Sequence, residues 1–352
     1  MNVQQLLQQL VNIPSLSGQE GPAADFVAGL VEGWGIPVKR HGHNVWFELG
    51  SGSPRLLLAS HLDTVPVCAG WDGDPWQAAW VDGHLTGLGA NDAKGCVAAL
   101  LATAHALKDA ELGGTAIFAL TAEEETGGVN GMGKVLSHFG PLDAALVGEP
   151  TSLHPCIAQR GMLLLDCTAK GESGHVAHAA LAENAIHKAS RDIARLSAMA
   201  FEPHDLLGVT KAQVTQVQGG LRTNQVPDAC AFTVDLRTTP NLDHAQLAAQ
   251  IAASLESEVK VRSARYVPKA TAATSPIAQA ARAASGKAFV GSATTSDWAF
   301  LGDLPAVKIG PGDTHRSHRP NEFILASELE AGAAYYTQAV QRYFARVGAV
   351  HV

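Results

Sequence analysis

Acidic and histidine side chains follow several apolar runs of the sequence, each where a predicted strand ends or a helix begins. They occur in the segments SHLDT, ANDAKG, TAEEETGG, VGEPT and THRSHRPNE, and the residues concerned are His61, Asp63, Asp92, Glu123, Glu124, Glu125, Glu149, His315 and His318. In an open α/β sheet the carboxyl ends of neighbouring strands converge on one crevice, so side chains this far apart in sequence can meet.

Imidazoles and carboxylates without a thiolate form a nitrogen- and oxygen-rich set that suits Zn²⁺ or a similar divalent ion. Several carboxylates in one cleft would otherwise repel one another and lose hydration, which raises their pKa values. One or two divalent cations remove that penalty. Each segment alone has a simpler explanation, such as a helix N-cap for Asp92 or a solvated loop for the glutamates. The metal-site interpretation depends on all five segments occurring together.

The elements that must position these side chains alternate between helix and strand. Helices are predicted in VQQLLQQLV, GPAADFVAGLVEGWG and AKGCVAALLATAHALKDA, and strands in NVWFELG, RLLLASHLDTV, TAIFALTAEEE and DAALVGEP. This alternation predicts an α/β fold with a mostly parallel sheet and helices on both faces. Between these parts, the order β-α-β-β-α-β predicts a ferredoxin-like α+β domain. We therefore predict an α/β domain at 1–161 plus 273–352, interrupted by an insertion at 162–272.

Composition excludes several other classes of protein. The chain has 352 residues, 46% of them hydrophobic and 16% charged, which is enough for two domains. Its net charge of −8 argues against a nucleic-acid partner, because phosphate binding needs clustered Lys and Arg. No stretch approaches the ~20 apolar residues of a membrane span, and MNVQQLLQQLVNIP lacks the features of a signal peptide. Five scattered cysteines without C-x-x-C are typical of reduced thiols, so we expect a soluble cytoplasmic protein.

The same segments together resemble one known family. The H-x-D of SHLDTVP, the turn GLGANDAKG, the run TAEEETGG, the turn VGEP and the segment SHRPNE resemble the M20 family of metallopeptidases and deacylases, over essentially the whole chain. The resemblance implies hydrolysis of an amide bond by a zinc-peptidase-like catalytic domain with an inserted lid and dimerisation domain. It also implies two Zn²⁺ ions per subunit, for which Co²⁺ can substitute.

The resemblance implies a role for each residue of the site. The implied metal ligands are His61 and Glu149 at one position, Glu125 and His318 at the other, and Asp92 between them. Asp63 would fix the imidazole of His61, and Glu124 would be the general base that passes a proton to the leaving amine. The family pattern places the ligand histidine two residues before P-x-E, which favours His318, with His315 as the alternative.

The inserted domain carries three further motifs. AKGESGHVAH resembles the family's G-x-x-x-H motif, whose histidine stabilises the oxyanion in the partner subunit's site. It implies that role for His175 and a homodimer, although the family's usual proline is absent here and His178 is a substitute candidate. N-x-x-P-D implies that Asn224 faces the site. In D-x-R-x-x-P, Arg237 either binds a substrate carboxylate or pairs within its sheet, and Arg222 is a further candidate.

The segment VKIGPGDTHRSHRPNE indicates the substrate. It resembles the branch of deacetylases that act on N-acetylornithine or N-acetylcitrulline, in which Arg316 would bind the substrate carboxylate as a bidentate guanidinium and Lys308 and Gly310 would shape the pocket. We therefore predict an N-acetylornithine deacetylase of arginine biosynthesis, which yields acetate and ornithine. The alternatives are N-acetylcitrulline deacetylase, succinyl-diaminopimelate desuccinylase and a hydrolase that frees lysine from a carrier protein. A dipeptidase or aminopeptidase would carry longer lid insertions, and an inactive binding protein would have lost a ligand or the base.

Overall fold

The computed structural model describes residues 1–348. The helices in this range are α1 (Val3–Val11), α2 (Gly21–Glu32), α3 (Lys94–Leu107), α4 (Met132–Val135), α5 (Ala185–Ser197), α6 (His244–Ser254), α7 (Pro276–Ser285) and α8 (Ala326–Gly348). The strands are β1 (Lys39–His41), β2 (Asn44–Gly50), β3 (Arg55–His61), β4 (Trp80–Val81), β5 (His84–Thr86), β6 (Thr115–Thr121), β7 (Ala144–Val147), β8 (Cys156–Gln159), β9 (Gly161–Lys170), β10 (Gly174–His175), β11 (Lys211–Gly219), β12 (Gln225–Val226), β13 (Ala229–Thr238), β14 (Glu258–Tyr266), β15 (Lys269–Ala270), β16 (Val290–Ser292), β17 (Ala306–Lys308) and β18 (Phe323–Leu325).

The chain divides into two compact units. Unit 1 comprises Met1–Ile157, Ala270–Val290 and the chain from Ser296 onward, and unit 2 comprises Ala158–Lys269 and Gly291–Thr295. The chain leaves and re-enters unit 1 at neighbouring points, because the backbone N–H of Thr271 donates to the carbonyl oxygen of Ile157 at 2.8 Å. The sequence placed the insertion at 162–272, a few residues later at each end, and gave no sign that 291–295 groups with it. Within unit 2, the carbonyl of Ser292 accepts the N–H of Arg160 at 3.1 Å.

The sheet of unit 1 is mostly parallel. Its strand order runs β1-β2-β6-β3-β7-β17. Strand β3 lies between β6 and β7 and is parallel to both, and β17 is parallel to β7. Strands β1 and β2 form an antiparallel edge. The central strands are continuous apolar runs because both faces of the sheet are covered, so the predicted sheet is confirmed.

Alternate residues of the central strands enter separate cores on the two faces. Leu56 and Leu58 of β3 pack with residues of α1, α3, α7 and α8. Leu57 and Ala59 pack on the opposite face with α4 and with the side chain of Trp298. Helices therefore cover both faces as predicted, with long helices on one side and short helical segments on the other. This packing holds β3, which ends in His61, rigidly at the centre of the sheet.

Unit 2 has an antiparallel sheet with helices on one face. Its strand order is β11-β13-β9-β14, and each neighbouring pair is antiparallel. Leu163, Leu165 and Cys167 of β9 are buried with apolar residues of α5 and α6, while the residues between them are half-buried. This alternation is expected where only one face is covered. The chain order β9-α5-β11-β13-α6-β14 is the predicted β-α-β-β-α-β arrangement, so the predicted fold class is confirmed.

The structure of residues 1–348 bears on two expectations from the sequence, the absence of a membrane-spanning helix and the reduced state of the cysteines. No helix in this range is long and apolar enough to cross a membrane. All five cysteines are free thiols, as expected; four are buried and Cys68 is exposed.

Candidate metal centre

The segments that carry the acidic and histidine side chains emerge at one edge of the unit 1 sheet. His61 is the last residue of β3, Glu124 and Glu125 follow β6, and Glu149 follows β7. The register aligns His61 with Thr121 of β6 and Ala59 with Val147 of β7, so the three strands end nearly level. The crevice at the carboxyl edge of this parallel sheet therefore holds these side chains, as the topology requires.

The carboxylate of Asp92 lies between two imidazoles. Its Oδ1 is 3.4 Å from Nε2 of His61, and its Oδ2 is 3.8 Å from Nε2 of His318. Glu149 Oε1 lies 3.9 Å from the His61 Nε2, and Glu125 Oε1 lies 2.9 Å from the His318 Nε2. The arrangement is one imidazole and one glutamate on each side of a shared aspartate.

These side chains fit a metal site. Two triads each offer ligand atoms that all lie within 4.8 Å of one another, namely His61, Asp92 and Glu125, and His61, Glu124 and Glu149. Asp92 Oδ1 is buried and has no hydrogen-bond partner, which is unfavourable for a carboxylate oxygen unless a cation contacts it. The available donor atoms are nitrogen and oxygen, a set that suits a divalent ion of borderline softness.

The pKa values of the glutamates show that bringing these carboxylates together without a cation disfavours their charged forms. Desolvation and then the nearby charge of Glu149 raise the pKa of Glu124 well above its usual value. Burial raises the pKa of Glu149 to about 7 despite the attraction of Lys308. Desolvation also raises the pKa of Glu125, although His318 donates to it, and this hydrogen bond is the main reason that the pKa of His318 rises to about 9. A divalent cation would reverse the repulsion among these carboxylates.

Asp63 connects the imidazole of His61 to the glutamate run. The Nδ1 of His61 lies 3.0 Å from the backbone carbonyl oxygen of Asp63 and 3.3 Å from its carboxylate Oδ1. The backbone N–H of Glu124 donates to Oδ1 and that of Glu125 to Oδ2, each at 3.1 Å, and Ser17 Oγ donates to Oδ2 at 2.7 Å. Burial opposes ionisation, but the contacts with His61 and these donors hold the pKa of Asp63 below its usual value. Asp63 is therefore an ionised acceptor for both the imidazole and the loop backbone.

The three glutamates do not continue strand β6, contrary to the sequence-based expectation. The strand ends at Thr121, Glu123 has a left-handed φ of 55°, and Glu124–Thr126 forms a short 3₁₀ turn. A tight turn, and not the side-to-side alternation of an extended strand, therefore sets the directions of the Glu124 and Glu125 side chains. The carboxylate of Glu123 accepts hydrogen bonds from the backbone and side-chain nitrogens of Asn130 and supports the following loop.

Of the two histidines in THRSHRPNE, His318 reaches the carboxylates. Its Nε2 lies within 4 Å of a carboxylate oxygen of Asp92 and of one of Glu125. His315 instead contacts Asp313, with 2.8 Å between Nδ1 and Oδ1, and its side chain is 85% exposed. The geometry thus favours His318 as the ligand.

Arg316 is already bound to a carboxylate within the protein. Its terminal nitrogens donate to the two oxygens of Glu328 at 2.6 and 3.1 Å, and its guanidinium carbon lies 4.3 Å from the ring centroid of Phe323. The two terminal nitrogens of the guanidinium are therefore engaged with Glu328, out of the five N–H donors that an arginine side chain offers. The prediction that Arg316 binds the substrate carboxylate stays a prediction, and it requires N–H donors that Glu328 does not use or release of this ion pair.

Lys308 and Gly310 lie behind the carboxylates. Lys308 is buried at the end of β17 and acts on Glu149 through its charge. A methyl group on Gly310 would lie 2.5 Å from Cys96 Sγ and 2.7 Å from the carbonyl oxygen of Glu149. Glycine is therefore required at position 310 so that the chain can pass close to the segment that carries Glu149.

The predicted site residues of unit 2 are exposed or paired within that unit. His175, His178 and Asn224 are exposed, as is Arg222. The Nδ1 of His175 accepts the backbone N–H of Ala177 at 3.1 Å. Arg237 donates from Nε and its terminal nitrogen to the two oxygens of Asp235, at 2.8 and 3.0 Å. Of the two interpretations of Arg237, this pairing matches the one within the sheet.

Two buried carboxyl groups next to the centre were not assigned from the sequence. Glu322 Oε1 accepts the backbone N–H groups of Asn91 and Asp92, both at 2.9 Å, and burial, with the charge of Asp92, raises its pKa to about 8. Asp297 Oδ2 accepts Thr121 Oγ1 at 2.8 Å, its Oδ1 has no hydrogen-bond partner, and burial raises its pKa to about 6. The signals in the sequence were the glutamate of P-N-E and the aspartate of T-S-D, whose roles depend on contacts between distant segments.

Comparison with known proteins identifies the family. Residues 57–342 match the sequence profile described as peptidase family M20/M25/M40. The chain belongs to this M20 family. It is 30% identical to a succinyl-diaminopimelate desuccinylase of Parvibaculum lavamentivorans over 96% of this chain and 94% of the relative, and 32% identical to one of Xanthomonas campestris over 85% and 86%. The predicted class, a metal-dependent amide hydrolase of this family, is confirmed.

Solved structures of M20 proteins share the fold of this chain. A metallo-carboxypeptidase of Sulfolobus solfataricus has a TM-score of 0.79 at 20% identity, covering 98% of this chain and 100% of that one. A dinuclear metal binding peptidase of Bacillus subtilis has a TM-score of 0.74 at 19% identity, covering 96% of each chain. At these identities the likeness concerns the fold.

Proposed function

We propose that this M20 protein binds two Zn²⁺ ions and hydrolyses the amide bond of an N-acylated amino acid, with N-succinyl-diaminopimelate as the first candidate substrate. The observation that carries the proposal is the carboxylate of Asp92 between two imidazole–glutamate pairs. One ion would be held by His61, Asp92 and Glu149, and the other by Asp92, Glu125 and His318. Bound there, the ions would supply Lewis-acid polarisation of the scissile carbonyl.

The chain's own residues would move the proton. Glu124 lies beside the ligand group, and its raised pKa makes it a stronger base for taking a proton from water and returning it to the leaving amine. Asp63 holds the backbone N–H of Glu124 and the imidazole of His61 at once. It would therefore keep the base and one ligand in fixed relation without contacting the substrate.

The candidate substrates rest on two different observations. Relatives that are 30–32% identical over most of the chain are named succinyl-diaminopimelate desuccinylase, and this supports the succinylated amide over the acetylated one. The segment KIGPGDTHRSH favours N-acetylornithine as the second candidate. That argument is weaker than the sequence suggested, because Arg316 is bound to Glu328.

We also propose that the protein forms a homodimer through unit 2, in which His175 stabilises the oxyanion in the partner's site. Strand β11 is an edge strand of the unit 2 sheet, and most of its residues are exposed. Leu221 and Leu181 of the same unit are 86% and 82% exposed. An open strand edge and exposed leucines in the same unit support pairing with a second copy.

The test is a kcat/KM panel with a metal-depletion arm. Amine release is measured for N-succinyl-diaminopimelate, N-acetylornithine, N-acetylcitrulline and N-acetyl-lysine, before and after treatment with a chelator and after adding Zn²⁺ or Co²⁺. The expected result is the highest kcat/KM for the succinylated substrate, loss of turnover on chelation and recovery with metal. Preference for N-acetylornithine would favour the second candidate, and activity that survives complete metal removal would refute the mechanism.

A further inference from the structure

Four consecutive backbone N–H groups after strand β6 are bound by side chains from other parts of unit 1. The N–H of Ala122 donates to Asn44 Oδ1 at 3.0 Å, and that of Glu123 to Glu20 Oε1 at 3.1 Å. The next two, on Glu124 and Glu125, donate to the carboxylate of Asp63. Asn44, Glu20 and Asp63 are 2%, 0% and 0% exposed. We call these three side chains the backbone clamp.

The backbone clamp solves a problem that the turn creates. Where the chain leaves the sheet, its N–H groups lose their partners in the strand ladder and must find acceptors elsewhere. The left-handed φ of 55° at Glu123 gives the turn a conformation that is rare for a residue other than glycine. Holding each N–H on a buried oxygen fixes this turn, and the turn determines where the side chains of Glu124 and Glu125 point.

Glu20, like Asn44, is a clamp residue that lies far in sequence from the candidate metal ligands. Its Oε1 also accepts the N–H of Gly18 at 2.7 Å, and its Oε2 lies 2.7 Å from Nδ1 of His43. Both oxygens of a fully buried carboxylate are thus engaged. The N–H of Glu123 is the contact that joins the segment before α2 to the glutamate run, more than a hundred positions away.

We infer that Glu20 is a positioning residue for amide hydrolysis, which acts by holding the N–H of Glu123 and so fixing the turn that aims the general base Glu124. This inference rests on the proposed function. Glu20 acts through the position of its Oε1, because the group that it holds is a backbone N–H, which a neutral amide oxygen also accepts. The role therefore requires an oxygen at the correct reach, which glutamine supplies and aspartate does not.

Two conservative variants separate this role from alternatives. Glu20→Gln keeps the oxygen in place and removes the charge, and its new amide faces His43, whose side chain is 39% exposed and can change tautomer. Glu20→Asp keeps the charge and withdraws the oxygen by one methylene. The matched control is Glu32→Ala, at the exposed end of the helix that begins beside Glu20.

The kinetic readout is kcat against KM on the best substrate of the panel, with zinc content measured on each preparation. Glu20→Asp is expected to lower kcat by about 10–100-fold, the range seen when residues that orient active groups are changed, with KM changed less than about twofold. Glu20→Gln and Glu32→Ala are expected to stay within about threefold of the unmodified enzyme. Loss of kcat in Glu20→Gln but not in Glu20→Asp would overturn the inference in favour of a charge effect.

The second readout does not depend on activity. Hydrogen–deuterium exchange of a peptide covering residues 122–131 should speed up in Glu20→Asp and in Glu20→Ala, and should be unchanged in Glu20→Gln and Glu32→Ala. If hydrogen–deuterium exchange of this peptide is unchanged in Glu20→Asp, Glu20 does not hold the turn, and the inference is overturned even if the variant enzyme is slower. If no amide in the panel is hydrolysed by the unmodified protein, the proposed function fails, whereas the exchange result still decides whether Glu20 holds the turn.

Discussion

Arg316 can have one of two roles: it can stabilise the fold through its ion pair with Glu328, or it can bind the substrate. Breaking the ion pair distinguishes the two roles. Glu328 lies in the first turn of α8, and its Oε2 also accepts the backbone N–H of Leu325 at 3.1 Å. The pair therefore ties the segment that carries His318 to the start of α8. Glu328→Gln keeps an acceptor for Leu325 and removes the charge, and Arg316→Met keeps the aliphatic stem and removes the guanidinium.

The expected coupling energy follows from the burial of the pair. The side chains of Arg316 and Glu328 are 21% and 24% exposed. Exposed pairs typically couple by about 0.2–1 kcal/mol, and breaking a fully buried pair costs about 3–5 kcal/mol. A pair with two hydrogen bonds and this intermediate burial should couple by about 1–2 kcal/mol. Arg316→Met should lose a further ~0.5–1 kcal/mol, because the guanidinium also lies over the ring of Phe323.

Urea unfolding of the two single variants and the double variant measures this coupling. Tryptophan fluorescence reports on unit 1 alone, because all six tryptophans lie there, at Trp34, Trp46, Trp71, Trp76, Trp80 and Trp298. The free energy of unfolding is compared at equal metal content and equal urea slope. Two results together would refute a stabilising role and support Arg316 as a substrate-binding residue. The losses of unfolding free energy in the single variants would add up to that of the double variant within about 0.5 kcal/mol, and Arg316→Met alone would raise KM more than about tenfold.

Three further predictions follow from the site. Glu124→Gln should lower kcat by about 10²–10⁴-fold with zinc content unchanged by atomic absorption; a variant with more than about a tenth of the activity would contradict the general-base role. His175→Ala should lower kcat with metal retained, and mixing its subunits with those of Glu124→Gln should restore part of the activity; a fully active monomer would contradict a role across subunits. Burial in the folded, metal-free protein raises the pKa of Glu149 to about 7 and that of Glu322 to about 8. Between about pH 5 and these values the folded protein therefore holds protons that the unfolded chain has released. Its Tm, followed by scanning fluorimetry, should therefore fall as the pH rises from about 5 to about 8 and should recover with Zn²⁺; a flat profile without metal would count against this electrostatic account.

The sequence could predict where the candidate metal ligands meet because the parallel sheet brings the ends of its strands to one edge. His61 and Glu149 directly follow uninterrupted apolar runs, and such runs in an α/β chain become central parallel strands with a common carboxyl edge. Position after a strand is therefore enough to predict that the side chains converge. The order of elements in unit 2 was predictable for the same reason, since periodicity and turn residues report on local structure.

The remaining features depend on contacts that no local pattern records. Glu20 precedes Gly21 and Pro22 and so indicates only the start of a helix; its contact with Glu123 is made at a residue in a left-handed conformation that the sequence does not reveal. Arg316 lies in a motif that suggests a ligand for the substrate, but an acidic residue in the first turn of α8 pairs with it. The turn at Glu124 replaced an expected strand because the apolar run ends at Ala122 and the chain then leaves the ladder.

The neighbouring exit and return of the chain at Ile157 and Thr271 have an evolutionary consequence. Because the two crossing points are already joined by a backbone hydrogen bond, an inserted sequence of almost any length can be accommodated there, and the entropy of closing a longer loop grows only slowly with its length. The candidate ligands and Glu124 all belong to unit 1. A lineage with this architecture can thus exchange or remodel its second domain while it inherits the hydrolytic centre unchanged, so the chemistry and the accessory domain can diversify at different rates.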